Sequence, residues 1–400
     1  MSSDYANAFQ DFQVFGEYGG INPSITDSST FTFMHPATME KLFQEEMQGC
    51  FLYSRHLNPA NENLSKALAL LEGTEDALVT GSGMGAISTT LLQLCKMGDE
   101  IISHRVTYGG TYALLKNFFP RIGINTHFVN ILDLNAVEEK INKKTKVIYC
   151  ESLSNPMLEL PDLAELRKLA DKYNLKLIVD NTFTPYCINP YKLGAHIVVH
   201  SLTKFINGAS DALGGCVCGP HEFISSMKSV NDGAAMLIGP VLDSIRSSSI
   251  LKNLRTLHIR MRQHSKNALF IATNLEKMGI KVIYPGLASH PQYEFASKLF
   301  NQNFGYSGMI TIDAETTENA NNLLVKMQEE KVGYFAVSLG YYKTLFSSPG
   351  RSTSSEIPEE EQKEMGMTPG LIRFSMGLDD DIERTLERIK KCMKEVGCCK

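Results

Sequence analysis

Lys204 follows directly on the apolar run Ile197-Val198-Val199, through His200-Ser201-Leu202-Thr203. Most lysines are solvated surface charges. One drawn partly out of water holds its proton less tightly and supplies the neutral amine that imine chemistry with a carbonyl requires. Ser201 and Thr203 beside it read either as donors to an anion or as simple turn formers. Twenty-four residues earlier, Asp180-Asn181-Thr182 follows the run Leu177-Ile178-Val179. An acid in that position either caps the next turn or pairs with a protonated ring nitrogen, keeping a pyridinium cationic so that it can absorb electrons.

A third signal lies upstream, at Gly81-Ser82-Gly83-Met84-Gly85-Ala86, between an expected strand and an expected helix. Glycines let backbone N–H groups approach an anion, and the helix N-terminus adds a favourable dipole. The run also satisfies G-x-G-x-x-A, with Asp99 and Glu100 near the distance of a ribose contact, so a dinucleotide site competes on pattern alone. A tight turn with close helix–sheet packing is the plain structural alternative. The order of the three signals favours pyridoxal 5′-phosphate (PLP): a nicotinamide enzyme has no use for the lysine, whereas PLP chemistry needs all three.

The elements that must position these residues alternate short apolar runs with amphipathic stretches. Strands are expected at Ala77–Thr80, Glu100–Ser103, Thr126–Asn130, Lys146–Glu151, Lys176–Asp180 and His196–His200. Helices are expected at Ile87–Leu94, Ala113–Phe119 and Leu163–Lys172, with an earlier one through Leu64, Leu68 and Leu71 ending at Gly73. The rhythm predicts an α/β fold, a mainly parallel sheet with helices on both faces, whose ligands bind at the carboxyl ends of the strands. Asp180, His200 and Ser82 then converge on one edge. A helical pattern over Ile250–Met278 leads into a second region, with strands at Gly308–Asp313 and Tyr334–Leu339 and helices at Thr317–Glu330 and Asp380–Val396. The expected division is an arm over 1–57, rich in Gly, Pro and aromatics such as Phe12, Phe15, Phe31 and Phe33, a large domain over 58–256 and a smaller α/β domain over 257–400.

Composition narrows the class. The 400 residues are 43% hydrophobic and 21% charged with a formal net charge of -5, an ordinary globular balance with no general pull toward nucleic acid or anionic membrane. No run reaches the ~18–20 apolar residues of a membrane span. The polar stretch from Met1 to Asp11 has neither a secretory apolar core nor arginine enrichment, so the chain reads as cytoplasmic. The nine cysteines are scattered without a C-x-x-C pair and read as reduced thiols; no zinc spacing occurs, and no metal is expected.

From about Phe15 to Asp380 the chain resembles the Cys/Met-metabolism PLP enzymes, the cystathionine γ-synthase-like branch of fold-type I. The motifs are Tyr53-Ser54-Arg55-x-x-Asn58-Pro59, Ser82-Gly83-Met84, Tyr108-Gly109-Gly110-Thr111, Glu151-Ser152-x-x-Asn155-Pro156, Val179-Asp180-Asn181-Thr182, His200-Ser201-x-Thr203-Lys204 and Gly370-Leu371-Ile372-Arg373-Phe374-Ser375. The resemblance implies a seven-stranded large-domain sheet and makes Lys204 the Schiff-base lysine, Asp180 the pyridinium partner and Tyr108 the ring-stacking residue. Gly83, Met84, Ser201 and Thr203 would hold the phosphate, with Ser82 and Thr182 also at the cofactor. Tyr53 and Arg55 would reach the phosphate bound by a neighbouring subunit, which implies a homo-oligomer, a tetramer of two catalytic dimers. Arg373 would clamp a substrate carboxylate, helped by Asn155 and Ser338, with Thr353 nearby.

Within the family the likeness is greatest to the methionine γ-lyase branch, through Phe15–Gly20, Gly286–Pro291, Ser338–Tyr342 and Ser352–Ser355. Bacterial members of that branch carry cysteine where this chain has Gly110; plant members carry glycine. The implied reaction is α,γ-elimination of L-methionine to methanethiol, 2-oxobutyrate and ammonia. Lys204 would act as base, and Tyr108, its phenol pKa lowered by cofactor and cations, as acid–base partner of the thiol. γ-Replacement on an activated homoserine ester, cystathionine cleavage and a catalytically silent PLP-binding protein remain alternatives.

Overall fold

Within Leu177-Ile178-Val179, the first and third side chains enter one apolar core and the second enters another. Side chains alternate across a strand, so an uninterrupted apolar run must be covered on both faces. The same alternation separates Val198 from Ile197 and Val199, and Cys216 and Cys218 from Val217. The computed structural model describes residues 11, 21–43, 50–352 and 354–398. The expectations on Phe12, Phe15, the stretch from Phe15 to Gly20, and Thr353 lie outside those residues.

Among the described residues, the larger sheet has seven strands: β1 (Asp76–Thr80), β2 (Glu100–His104), β3 (Asn125–Val129), β4 (Thr145–Glu151), β5 (Lys176–Asp180), β6 (Ile197–Ser201) and β7 (Gly215–Gly219). Their order is β1-β7-β6-β5-β4-β2-β3. Strands β3, β2, β4, β5 and β6 are parallel, while β7 runs antiparallel to both β6 and β1. The carboxyl ends of β1 to β6 therefore open on one edge. The mainly parallel sheet is the one that the sequence rhythm predicts, and its seven strands match what the family resemblance implies.

The first helix over this sheet, Pro59–Glu72, is capped by the Asn58 side chain and stops at Gly73, whose φ of 70° is a left-handed conformation suited to glycine. Residues 250–278 do not form the single helix that their periodicity suggests. The chain breaks into Ser244–Leu254 and Leu257–Lys277, and at the break the Arg260 guanidinium donates to the carbonyls of Asn253 and Ile206. Early residues of the second helix, Leu257 and Met261, pack in the large core; later ones, Ala268, Ile271 and Leu275, pack in the core of a second sheet.

That second sheet joins β8 (Lys281–Ile283), β9 (Met309–Asp313), β10 (Gly333–Phe335), β11 (Thr344–Ser347) and β12 (Leu371–Ser375) in the order β10-β11-β12-β9-β8. Strand β10 is shorter than the expected Tyr334–Leu339. Its last sheet-type bond runs from Ala336 N to Phe346 O, after which the chain leaves the edge and carries Ser338 toward Lys204. Among the described residues no helix is long and apolar enough to cross a membrane.

Candidate active site

At the carboxyl edge of the large sheet lies a cavity of about 200 Å³. Its wall includes Ser82, Gly83, Met84, Tyr108, Asn155, Asp180, Thr182, Ser201, Thr203, Lys204 and Arg373, so eleven of the residues singled out in the sequence come together. Tyr53 and Arg55 stand apart from it. Arg55 Nη1 donates to the Met236 carbonyl at 2.9 Å and its guanidinium lies over the Tyr53 ring.

Alternation decides which strand-end residues face the cavity. Ser201 points to the same side as Ile197 and Val199; Asp180 shares that side with Ile178, and Glu151 with Val147 and Tyr149. His200 points the other way, a correction to the expected convergence. It lies buried on the opposite face, where Nε2 meets Glu72 Oε1 at 2.7 Å. The same carboxylate oxygen accepts from Asn181 Nδ2 at 2.9 Å.

The phosphate-type cradle forms at the start of the helix Gly83–Leu94. Ser82 caps it by accepting from Gly85 N at 2.9 Å, and the first helical bond runs from Ala86 N to Ser82 O. The N–H groups of Gly83 and Met84 precede that bond and are free in direction to meet an anion. Glycine is required at 83: a Cβ there would stand 2.8 Å from the Ser201 Cβ. The Thr203 hydroxyl is engaged on both sides by Gly214, donating to its carbonyl at 3.3 Å and accepting from its N–H at 3.1 Å. The dinucleotide reading loses both its acids here, and Asp99 Oδ2, just before β2, accepts from Lys96 N at 2.9 Å. Glu100 is at the amino end of β2, bound to His127 Nε2 at 2.8 Å and Asn142 Nδ2 at 2.7 Å.

Lys204 Nζ donates to Ser338 Oγ at 3.2 Å. Burial, with the Arg373 charge adding to it, lowers its pKa to about 8, so a substantial fraction is neutral near that pH. Asp180 Oδ1 accepts from Thr182 N at 2.9 Å, and the Tyr149 hydroxyl is 3.4 Å from Oδ2. Burial raises the Asp180 pKa, against Thr182, His200 and Tyr149, which favour the carboxylate. The Thr182 hydroxyl accepts from Ser201 N at 2.8 Å and ties the ends of β5 and β6 together.

Arg373 reaches the cavity because it alternates with Ile372 and Phe374, which fill the second core. Its Nη1 donates to Asn155 Oδ1 at 3.0 Å, while Nη2 is 3.5 Å from the Ser338 carbonyl. Burial brings its pKa down to about 10, and the guanidinium stays charged. Tyr108 is 40% exposed, and the protein's own groups act against the lowering of its pKa expected with cofactor bound. Burial raises it first, Glu356 second, and only Arg373 among the nearest charges pulls it down. A Cβ at position 110 would lie 2.5 Å from the Tyr108 Cε1, so glycine at 110 makes room for that ring.

Two residues carry no role in the sequence reading yet belong to the site. Tyr149 backs Asp180. Glu151 lines the cavity beside Asp180, its register partner on β5, and burial with that neighbour pushes its pKa up to about 8. Their signal was the two-residue alternation of β4.

The donor set suits pyridoxal phosphate. Backbone N–H groups and Ser201 suit a phosphate, Asp180 a ring nitrogen and Lys204 an aldehyde, all on one cavity wall. Residues 8–393 match the family described as Cys/Met metabolism PLP-dependent enzyme. A methionine gamma-lyase of Arabidopsis thaliana is 43% identical over 383 residues, covering 94% of this chain and 87% of the relative. A cystathionine gamma-lyase of Bacillus subtilis is 36% identical over 348 residues, 86% of this chain and 89% of the relative. The crystal structure of a protein described as an O-acetylhomoserine (thiol)-lyase of Campylobacter jejuni, with N′-pyridoxyl-lysine-5′-monophosphate, gives a TM-score of 0.92 at 28% identity, covering 98% of this chain and all of that one.

Proposed function

The chain belongs to the Cys/Met metabolism PLP-dependent enzymes, and from that premise we propose that it is a carbon–sulfur lyase converting L-methionine and water to methanethiol, 2-oxobutyrate and ammonia. The observation that carries this reading is one cavity holding a lysine of lowered pKa, a buried carboxylate and a buried arginine. Bound PLP supplies the electron sink for the pairs left when Cα and Cβ lose protons.

The chain's own residues would do the rest. Lys204 would hold the cofactor through its amine and, once released, move protons at Cα and Cβ. Asp180 would keep the ring nitrogen protonated. Gly83, Met84 and Ser201 would hold the phosphate, joined by Thr203 once its hydroxyl gives up the 3.3 Å bond to the Gly214 carbonyl, with Ser82 and Thr182 fixing the surrounding turns. Arg373 would bind the substrate carboxylate with Asn155, while Ser338 steadies Lys204. Tyr108 would act as the acid–base partner of the departing sulfur. Leu213, Val337 and Leu339 give the cavity an apolar wall suited to an uncharged thioether.

The position of Tyr53 and Arg55 outside their own chain's cavity supports service in a neighbouring subunit's site, within a homotetramer of two catalytic dimers. The division into an arm to 57, a large domain to 256 and a small domain beyond belongs to the same reading, as does a cytoplasmic setting. The likeness to a cystathionine gamma-lyase and an O-acetylhomoserine (thiol)-lyase supports a second reading, cystathionine cleavage or γ-replacement, that uses the same residues. Purified protein given methionine alone should release 2-oxobutyrate; none released defeats the methionine reading. Parallel reactions with cystathionine, homocysteine, cysteine and an O-acylhomoserine plus sulfide separate the others.

A further inference from the structure

The end of β4 stands between β2 and β5, and its last residue, Glu151, is only 6% exposed. Its carboxylate oxygens divide their bonds between two loops. Oε1 accepts from Tyr108 N at 2.7 Å and from the Thr107 hydroxyl at 3.0 Å, both in the loop after β2. Oε2 accepts from Asn155 N at 3.0 Å, in the loop after β4. Asn155 in turn accepts from Arg373 Nη1 through its side-chain oxygen at 3.0 Å. A continuous path thus leads from one carboxylate to the Tyr108 backbone and, through Asn155, to the guanidinium.

We propose that Glu151 is a positioning residue that sets both the Tyr108 loop and the Arg373–Asn155 pair, and so the selectivity of the site for ligands that carry a carboxylate. The proposal rests on the assignment of Arg373 as the carboxylate clamp.

Every partner of the Glu151 oxygens donates, and the two backbone N–H groups can do nothing else, so the place suits a carboxylate. Burial beside Asp180 pushes the pKa up to about 8, so that form prevails above this pH and the test is read at pH 9. Glutamine has one accepting and one donating end. Whichever way its amide turns, an N–H faces the N–H of Tyr108 or of Asn155, and one loop loses its anchor. Alanine at the same site would only open a hole. Glutamine keeps the volume and removes the pattern of acceptors.

The test uses PLP-loaded protein and two ligands without a departing sulfur: L-norleucine, which has a carboxylate, and pentylamine, which lacks one. Binding is read from the change in the cofactor's visible absorption. For E151Q the preference for norleucine over pentylamine should fall about tenfold or more, the usual consequence of losing a buried bond to a charged group. A merely structural role would weaken both ligands alike and leave the preference at the wild-type value, which overturns the proposal. R373K is the control on the premise. If R373K keeps the preference, the clamp assignment itself is wrong; if R373K loses it and E151Q does not, the clamp stands and the positioning role falls. Should E151Q not fold, amide hydrogen exchange of the wild type decides. The Tyr108 and Asn155 amides should exchange slowly although neither donates within a helix or strand, and exchange at surface-loop rates overturns the proposal.

Discussion

Lys204 Nζ lies 3.2 Å from Ser338 Oγ, a bond that joins the loop between β6 and β7 of the large sheet to the arch leaving β10 of the small one. The carbonyl of that same serine is 3.5 Å from Arg373 Nη2. A reactive amine and a carboxylate-binding guanidinium therefore share one neighbour, and the guanidinium's charge is the second cause of the amine's lowered pKa after burial.

The first prediction concerns that amine. Its pKa of about 8 means that the neutral form grows as pH rises through that value. Capture of added PLP by cofactor-free protein should accelerate across the same window with a one-proton slope. Replacing Arg373 by methionine removes a like charge, which favours the protonated amine, so the curve should move to higher pH. Stopped-flow absorbance at pH 6.5 to 10 measures it; a flat profile would sink the assignment of Lys204.

Asp180→Asn separates function from stability. The amide can still accept from Thr182 N, but it cannot neutralise a ring-nitrogen proton, and kcat on methionine should fall about 10²-fold or more. Burial of the carboxylate already works against its charge, so a neutral amide should leave the thermal midpoint of the cofactor-free protein equal or higher. Loss of both activity and stability would point to a structural role instead.

Gly110→Ala tests the room left for Tyr108. The new Cβ would meet the ring's Cε1 at 2.5 Å and Cζ at 3.1 Å, so the phenol must swing away. Misplacing an acid–base group by that order costs about 10-fold to 100-fold in turnover. The expected outcome is a fall in kcat with a shift in the cofactor's absorption as the stacked ring moves away, and an unaltered kcat would show that the ring position is immaterial.

What could be read from the sequence was local. Asp180 and Lys204 were legible because an apolar run broke off abruptly at each, and Leu163–Lys172 because its pattern and its acidic cap agree. The break at Arg255 was not legible, since the periodicity runs through it and the carbonyls are satisfied by Arg260. The face of His200 could have been counted from Val199, for alternation alone sends it away from Ser201. The work of Glu151 could not, because two of its three partners lie 43 and 44 residues upstream and meet it only through the strand order β5-β4-β2. The engagement of the Thr203 hydroxyl by Gly214 was hidden for the same reason, since it depends on the antiparallel entry of β7.

The pair of His200 and Glu72 should govern stability against pH. Burial by itself would lower the histidine's pKa, but the bond to Glu72 and its charge reverse the effect and raise it to about 9, above the ordinary 6.5. A folded-state pKa above the unfolded one gives stability that is whole below pH 6.5 and is lost as pH rises through about 9. Glu72→Ala removes the anion from beside a buried cation and from Asn181, and at pH 7 it should destabilise the fold by about 3–5 kcal/mol. In Glu72→Gln the decline between pH 6.5 and 9 should flatten, because the histidine no longer gains from being charged. Urea unfolding of cofactor-free protein at pH 6, 7.5 and 9 measures both. If the wild type and Glu72→Gln lose stability in parallel over that range, the pair does not hold the proton that its 2.7 Å separation implies.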